Sequence, residues 1–157
     1  MKTLLGTLAL GALLAISSVA IAAGAPDPVT GNWILNTSKS SGTGPMPKSE
    51  TRTYAPTENG VLLEWTRVAA DGKTSNVKTT FGYDGKDYQI TGSDDFDALN
   101  AKRIDANTIE STQKKAGKVV GTTKRTVSAD GKTLTLESKM TTADGKTVNM
   151  TMVYDKK

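Results

Sequence analysis

Between Lys118 and Tyr154 the sequence alternates with a strict period of two, interrupted twice by the same turn, Ala129-Asp130-Gly131-Lys132 and Ala143-Asp144-Gly145-Lys146. Leu134, Leu136, Ser138 and Met140 fall on one side of an extended chain, and Thr133, Thr135, Glu137 and Lys139 on the other. Val148, Met150, Met152 and Tyr154 repeat the pattern. Successive side chains of a strand point to opposite faces, so this period specifies half-buried strands and not helices. Asp-Gly turns join neighbouring antiparallel strands, because Gly takes the left-handed conformation at no steric cost and Asp bonds to nearby backbone. The last third therefore reads as three hairpin-connected strands.

The same grammar runs upstream. A first strand is expected at Gly31–Asn36, with Trp33 and Leu35 on one face, and the Gly/Ser/Pro stretch Ser38–Pro47 reads as a loop. Strands follow at Ser49–Ala55 and Val61–Ala69, then one carrying Val77, Thr79, Phe81 and Tyr83 on one face, then a short one at Asp87–Thr91. After a break at Gly92–Asp97 come Ala98–Ile104, Thr108–Lys115 and Lys118–Ser128. Each ends in a turn signal, and Asp-Gly-Lys recurs at irregular spacing, as turn chemistry and not as a repeat. An all-β meander of sequential neighbours must deal with its edges, and closing into a single up-and-down barrel of about 8–10 strands removes them. The barrel domain is placed at residues 31–157. An outer-membrane barrel would need an outward apolar band, whereas the outward positions here are Thr, Lys, Glu and Asn.

Residues 1–22 read as a separate object. Lys2 gives a positive start, Leu4–Ile21 is almost wholly apolar, and Ala20-Ile21-Ala22 offers the small-x-small pattern of a signal-peptide cleavage site. A membrane span is the competing reading, since about 20 apolar residues cross a bilayer, but glycines, serines and small alanines weaken it. After cleavage no stable membrane anchor is expected, and without cysteine there is neither a lipid attachment point nor a disulfide framework. The chain is expected to be exported, to the periplasm or beyond the cell, as a monomer. Residues 23–30, with two prolines, read as a flexible N-terminal arm.

Removing Lys2 from the 20 basic residues leaves 19 against 16 acidic ones, scattered singly along strands and turns. No basic stripe with interleaved aromatics marks a nucleic-acid surface. The absence of His and Cys removes the commonest general base, the thiol nucleophile and the usual transition-metal ligands, so neither an enzyme nor a metal or other cofactor is expected. Asp94, Asp95 and Asp97 lack the ligand spacing of a calcium loop and read as a solvated turn.

The inward parity also collects polar groups. Arg52 and Arg67 are in phase with Tyr54 and Trp65, Arg103 with Leu99, and Arg125 with Val127, joined by Thr79, Ser111, Gln113, Thr123 and Ser138. An unpaired buried charge costs several kcal/mol, comparable with the ~1.5–3 kcal/mol gained by burying a large apolar side chain. Such an interior calls for a wet or ligand-filled cavity. The alternative for each arginine is to stack on an indole or to pair with a neighbour such as Glu50.

The opening Gly31-x-Trp33-x-Leu35-x-x-Ser38-Lys39 resembles the start of the calycins, the superfamily of lipocalins and fatty-acid-binding proteins. Arg125, Asp130-Gly131-Lys132 and Thr151-Met152-Val153-Tyr154-Asp155-Lys156 resemble the last three strands of the fatty-acid-binding branch. The layout is also similar to small secreted bacterial lipocalin-like proteins. The resemblance implies a lipocalin or fatty-acid-binding-protein-like barrel, with Gly31 and Trp33 as its structural motif and Arg125 and Tyr154 at the positions that hold a ligand carboxylate. Met152 stands where that branch carries a second arginine, and the helical lid between its first two strands is missing.

The functional expectation is an exported barrel that binds a small hydrophobic or amphipathic ligand, its polar head held by Arg125 and Tyr154, with Arg103 and Arg67 as further ligand-binding candidates. Trp65, Phe81, Met140 and Met152 would line its tail. The alternative is an interaction protein, such as a hydrolase inhibitor that inserts its N-terminal arm or the 38–47 loop.

Overall fold

The computed structural model describes residues 26–157. The expected leader lies outside the described residues. The strands are β1 (Gly31–Leu35), β2 (Ser41–Gly42), β3 (Ser49–Thr57), β4 (Gly60–Val68), β5 (Thr74–Phe81), β6 (Tyr88–Gln89), β7 (Ala98–Arg103), β8 (Thr108–Lys115), β9 (Lys118–Val127), β10 (Thr133–Thr141) and β11 (Thr147–Lys156). They form one antiparallel sheet in the order β5-β4-β3-β1-β11-β10-β9-β8-β7-β6, with β2 paired to β11 beside this path. Sequential neighbours pair from β3 to β5 and from β6 to β11, and β1 stitches β3 to β11.

The sheet curls until its two ends meet. At this seam Lys78 of β5 and Thr91, just after β6, exchange two backbone hydrogen bonds of 3.0 Å, and Thr79 Oγ1 donates to Gln89 O at 2.8 Å. Gly92 follows with a φ of +82°, and a Cβ there would lie 1.9 Å from Asn76 O. Glycine is what lets the two backbones approach. The same tight passage explains why the strand expected over Asp87–Thr91 shrinks to two residues: the chain is turning into the seam, not running along it.

The 38–47 segment also departs from a plain loop. A 3-10 turn at Thr37–Lys39 is capped by the Asn36 side chain, and Ser41–Gly42 then pairs with Met150 and Thr151. Its Gly42 and Gly44 lie so close over Met150 and Val148 that a Cβ would meet those side chains at 2.3 and 2.6 Å.

Inward residues are buried to different depths at the two ends of the barrel. At one end, called the floor here, Val29, Trp33 and Leu134 are fully buried, and Tyr54, Ile109 and Val127 nearly so. At the other end, the mouth, the inward-facing Ser111, Thr123, Ser138, Met140, Val148 and Met150 are only half-buried. Fully burying side chains of the floor's size contributes about 1.5–3 kcal/mol each, so the floor anchors the fold.

Part of the segment expected to be a flexible arm is held in that floor. Val29 has no exposed surface, and Trp33 Nε1 donates to Val29 O at 2.7 Å. The Val29 N–H donates to Asp27 Oδ1 at 3.0 Å, and Thr30 N to Asp27 O at 2.9 Å. Apolar burial and a satisfied indole fix what two prolines alone would leave loose.

Candidate functional site

Two layers of charge cross the interior. The floor layer is centred on Asp27. Its Oδ2 accepts from Arg103 Nη2 at 2.7 Å and from the Tyr83 hydroxyl, and its Oδ1 lies 3.8 Å from Arg125 Nη2. Arg125 Nη2 in turn donates to the Tyr83 oxygen at 3.0 Å, and the Arg103 guanidinium sits 4.3 Å above the Tyr83 ring centre. Burial pushes the Asp27 carboxyl up, but Tyr83, the Val29 N–H and the two arginines together hold it below the ordinary aspartate range. Burial also pushes the Tyr83 phenol up to about 12, against the pull of Arg125.

The second layer is centred on Glu50, which is 1% exposed. Its Oε1 accepts from Arg52 Nε at 2.5 Å and from the Tyr154 hydroxyl at 2.7 Å, and its Oε2 accepts from Arg67 Nε. The meeting follows from the sheet. Glu50 and Arg52 are two apart on β3 and share a face, while Glu50 and Arg67 are direct partners across β3 and β4. Arg52 also stacks 4.8 Å from the Trp65 ring. Burial pushes the Glu50 carboxyl up, and the Arg52 and Arg67 charges more than reverse this, so it stays below the usual glutamate range. Tyr154 is raised, first by burial and then by the Glu50 charge.

A neutral polar seam lies between Arg125 and the mouth. Gln113 Nε2 donates to Ser111 Oγ at 3.1 Å and Thr123 Oγ1 at 3.2 Å, and Thr123 Oγ1 is 3.0 Å from Ser138 Oγ. Gln113 Oε1 and Arg125 Nε are buried without a hydrogen-bond partner.

This arrangement answers the expectation of a wet or ligand-filled cavity differently from the sequence. The inward arginines share two acids, Glu50 contacting Arg52 and Arg67, and Asp27 contacting Arg103 and Arg125. Two concavities border the sheet. One, of about 670 Å³, runs across β8 to β11 and is lined both by the outward Glu110, Lys124, Glu137 and Lys139 and by the inward Ser111, Thr123, Ser138 and Met150. The other, of about 400 Å³, lies around Ile34–Ser38, Asp155 and Lys156.

The structure distributes the expected site residues over both layers. Arg125 and Arg103 belong to the floor layer, and Tyr154 and Arg67 to the other, so Arg125 and Tyr154 do not share a hydrogen-bond network. Trp65 and Phe81 are buried, Trp65 with Phe96 at 6.3 Å between ring centres and Phe81 edge-on to Tyr83 at 5.9 Å. Met152 lies under Tyr154, whose hydroxyl is 3.6 Å from its sulfur, and Met140 fills the notch over Gly121. Asp27 is the residue that sequence reading missed, although it is the lone acid between the leader and β1. The inhibitor alternative would use residues 23–30 or 38–47, of which 23–25 lie outside the described residues. Asp27–Thr30 is docked in the floor, and Ser41–Gly42 is paired with β11.

No family model and no curated protein matches the sequence. Among solved structures, the zebrafish ileal bile acid-binding protein, determined with cholic acid, is similar at 12% identity and a TM-score of 0.47, over 83% of this chain and 99% of that one. The siderocalin Ex-FABP, described as having dual ligand specificities, is similar at 10% identity and a TM-score of 0.36, over 83% of this chain and 74% of that one. In its own topology the chain is an up-and-down meander whose first and last long strands pair beside Trp33, with the ring nearly closed between β5 and β6. The fold is an antiparallel up-and-down β-barrel. In this barrel Gly31 opens β1, and Trp33 is fully buried in the floor with Lys156 5.1 Å from its ring.

Proposed function

We propose that this protein is an exported carrier whose calycin-like barrel takes up a small amphipathic anion. The ligand enters head first through the mouth. Arg125 holds its anionic head, and Trp65, Phe81, Met140 and Met152 contact its tail. One observation carries the reading. The salt bridges inside the barrel, among the described residues, join four arginines to only two acids, Asp27 and Glu50. The interior thus keeps an excess of positive charge in surroundings of low dielectric, where an anion is attracted far more strongly than in water. Arg125 adds an unpartnered buried Nε–H, a donor without an acceptor. Export rests on the leader, Lys2 followed by apolar Leu4–Ile21 and Ala20-Ile21-Ala22.

The test begins with native mass spectrometry of the mature protein purified gently from its source, followed by denaturation to release and identify anything bound. A stoichiometric amphiphile supports the reading. Arg125→Ala should then weaken binding of that anion at least tenfold, since a charge-assisted hydrogen bond contributes about 1.5–3 kcal/mol. Equal affinity in the variant, or an empty protein that no amphipathic anion stabilises against heat, refutes it.

A further inference from the structure

Asp27 holds the groups that a ligand carboxylate would seek. Two of its contacts come from Arg103 Nη2 at 2.7 Å and the Tyr83 hydroxyl, and Arg125 completes the cluster at 3.8 Å. The carboxylate arrives on the segment that leads into β1, and that segment is held by few further bonds: Val29 N and Thr30 N to Asp27 itself, and Trp33 Nε1 to Val29 O. A displaced Asp27 also has a way out. The Arg103 side chain is 36% exposed at the floor rim, so one wall of the cluster faces solvent.

We infer that Arg103, Arg125 and Tyr83 form a carboxylate-binding site that the resting protein fills with its own Asp27, and that a ligand carboxylate binds there by displacing Asp27 and releasing the segment around Val29. The inference rests on the carrier reading above and adds its regulation. An incoming carboxylate replaces one anion by another of the same chemistry, so Tyr83 and both arginines keep an acceptor. What the exchange costs is the burial of Val29 and its bond to Trp33. Ligand affinity is therefore reduced by the fraction of time that Asp27 occupies the cluster, and ligand binding and arm docking are linked in opposite directions. A neutral amphiphile has no claim on the cluster and leaves the arm in place.

The experiment compares dodecanoate with its methyl ester on the mature protein, reading affinity by calorimetry and backbone hydrogen exchange at Val29 and Thr30. Saturating dodecanoate should speed exchange at both amides at least tenfold, and the ester should leave them unchanged. Asp27→Asn should bind dodecanoate about tenfold more tightly, because a charge-assisted contact no longer competes. Binding by the variant alone also supports the inference, as the plug then outcompetes this probe. Dodecanoate that binds while Val29 and Thr30 keep their protection, or that binds Asp27→Asn no more tightly, overturns the inference and leaves the carrier reading intact. If the variant does not fold, exchange in the unaltered protein decides. No binding by either protein refutes the plug, and native mass spectrometry then decides the carrier reading.

Discussion

Replacing Glu50 by Gln removes one negative charge from a site where nothing else balances two guanidiniums. The amide oxygen can keep the bond from Tyr154 or Arg52, but the amide nitrogen then faces Arg67 Nε, donor against donor. Breaking a buried ion pair by removing one partner costs about 3–5 kcal/mol, because the remaining charge is left uncompensated. Arg67 is partly exposed at 30% of its side chain, so solvent takes up some of its share, and about 3 kcal/mol is expected for Glu50→Gln. For a domain of this size that lowers the melting temperature by roughly 10 °C. The pH dependence separates this from mere misfit. A carboxyl held below its ordinary value in the folded state contributes stability that is present above its unfolded pKa and lost as pH falls through the folded one. The unaltered protein should therefore lose stability on acidification below about pH 4.5, and the gap to the Gln variant should narrow there. Urea melts followed by circular dichroism, repeated across acid pH, give both numbers. A loss under about 1 kcal/mol at neutral pH, or a gap that does not change with acid, would refute the claim that Glu50 carries the charge balance of its layer.

Other outcomes follow from neighbouring features. Replacing Glu50, Arg52 and Arg67 together by apolar residues of similar volume should leave stability within about 2 kcal/mol of the original while the single Glu50 change does not, as urea melts would show. Gly92→Ala should destabilise the barrel by at least about 2 kcal/mol, since it strains a positive φ and drives a Cβ toward Asn76 O, and hydrogen exchange at Lys78 and Thr91 should rise first. Ultraviolet titration should find a phenol ionising near pH 12 that Tyr83→Phe removes; a phenol raised on folding favours the native state below its unfolded pKa, and that contribution disappears as pH climbs through the folded value. Trp33→Phe should cost about 1–3 kcal/mol through the bond to Val29 O and the lost indole area, and should loosen Asp27–Thr30 in exchange measurements.

The strands and most turns were legible because a half-buried sheet writes itself into the chain as a period of two, and Asp-Gly marks where it reverses. The arginines at inward parity were legible for the same reason. Their counter-charges were less so. Glu50 could be matched to Arg52 because both lie on one face of one strand, but Asp27 meets Tyr83 and Arg103 only after the chain has circled the barrel. No local pattern records a contact between a proline-bearing lead-in and side chains 56 and 76 residues away. Tyr83 shows the limit from the other side. It was placed on the face of the strand through Phe81, yet that strand ends at Phe81, and the residue is turned toward Asp27 by the loop that follows. The depth of the interior was illegible too, because alternation tells which way a side chain points and not whether the opposite wall reaches it.

The ring has its two kinds of junction in unexpected places. The C-terminus lies beside β1, with Lys157 N donating to Asn32 O at 2.9 Å, whereas the join at Lys78 and Thr91 falls in mid-sequence. Joining Lys157 to the lead-in at Pro26 by a linker and opening the chain between β5 and β6 would therefore give a circular permutant that keeps every long strand pair intact. Its new ends would sit at the seam, and the present lead-in would become an internal turn, anchored on both sides.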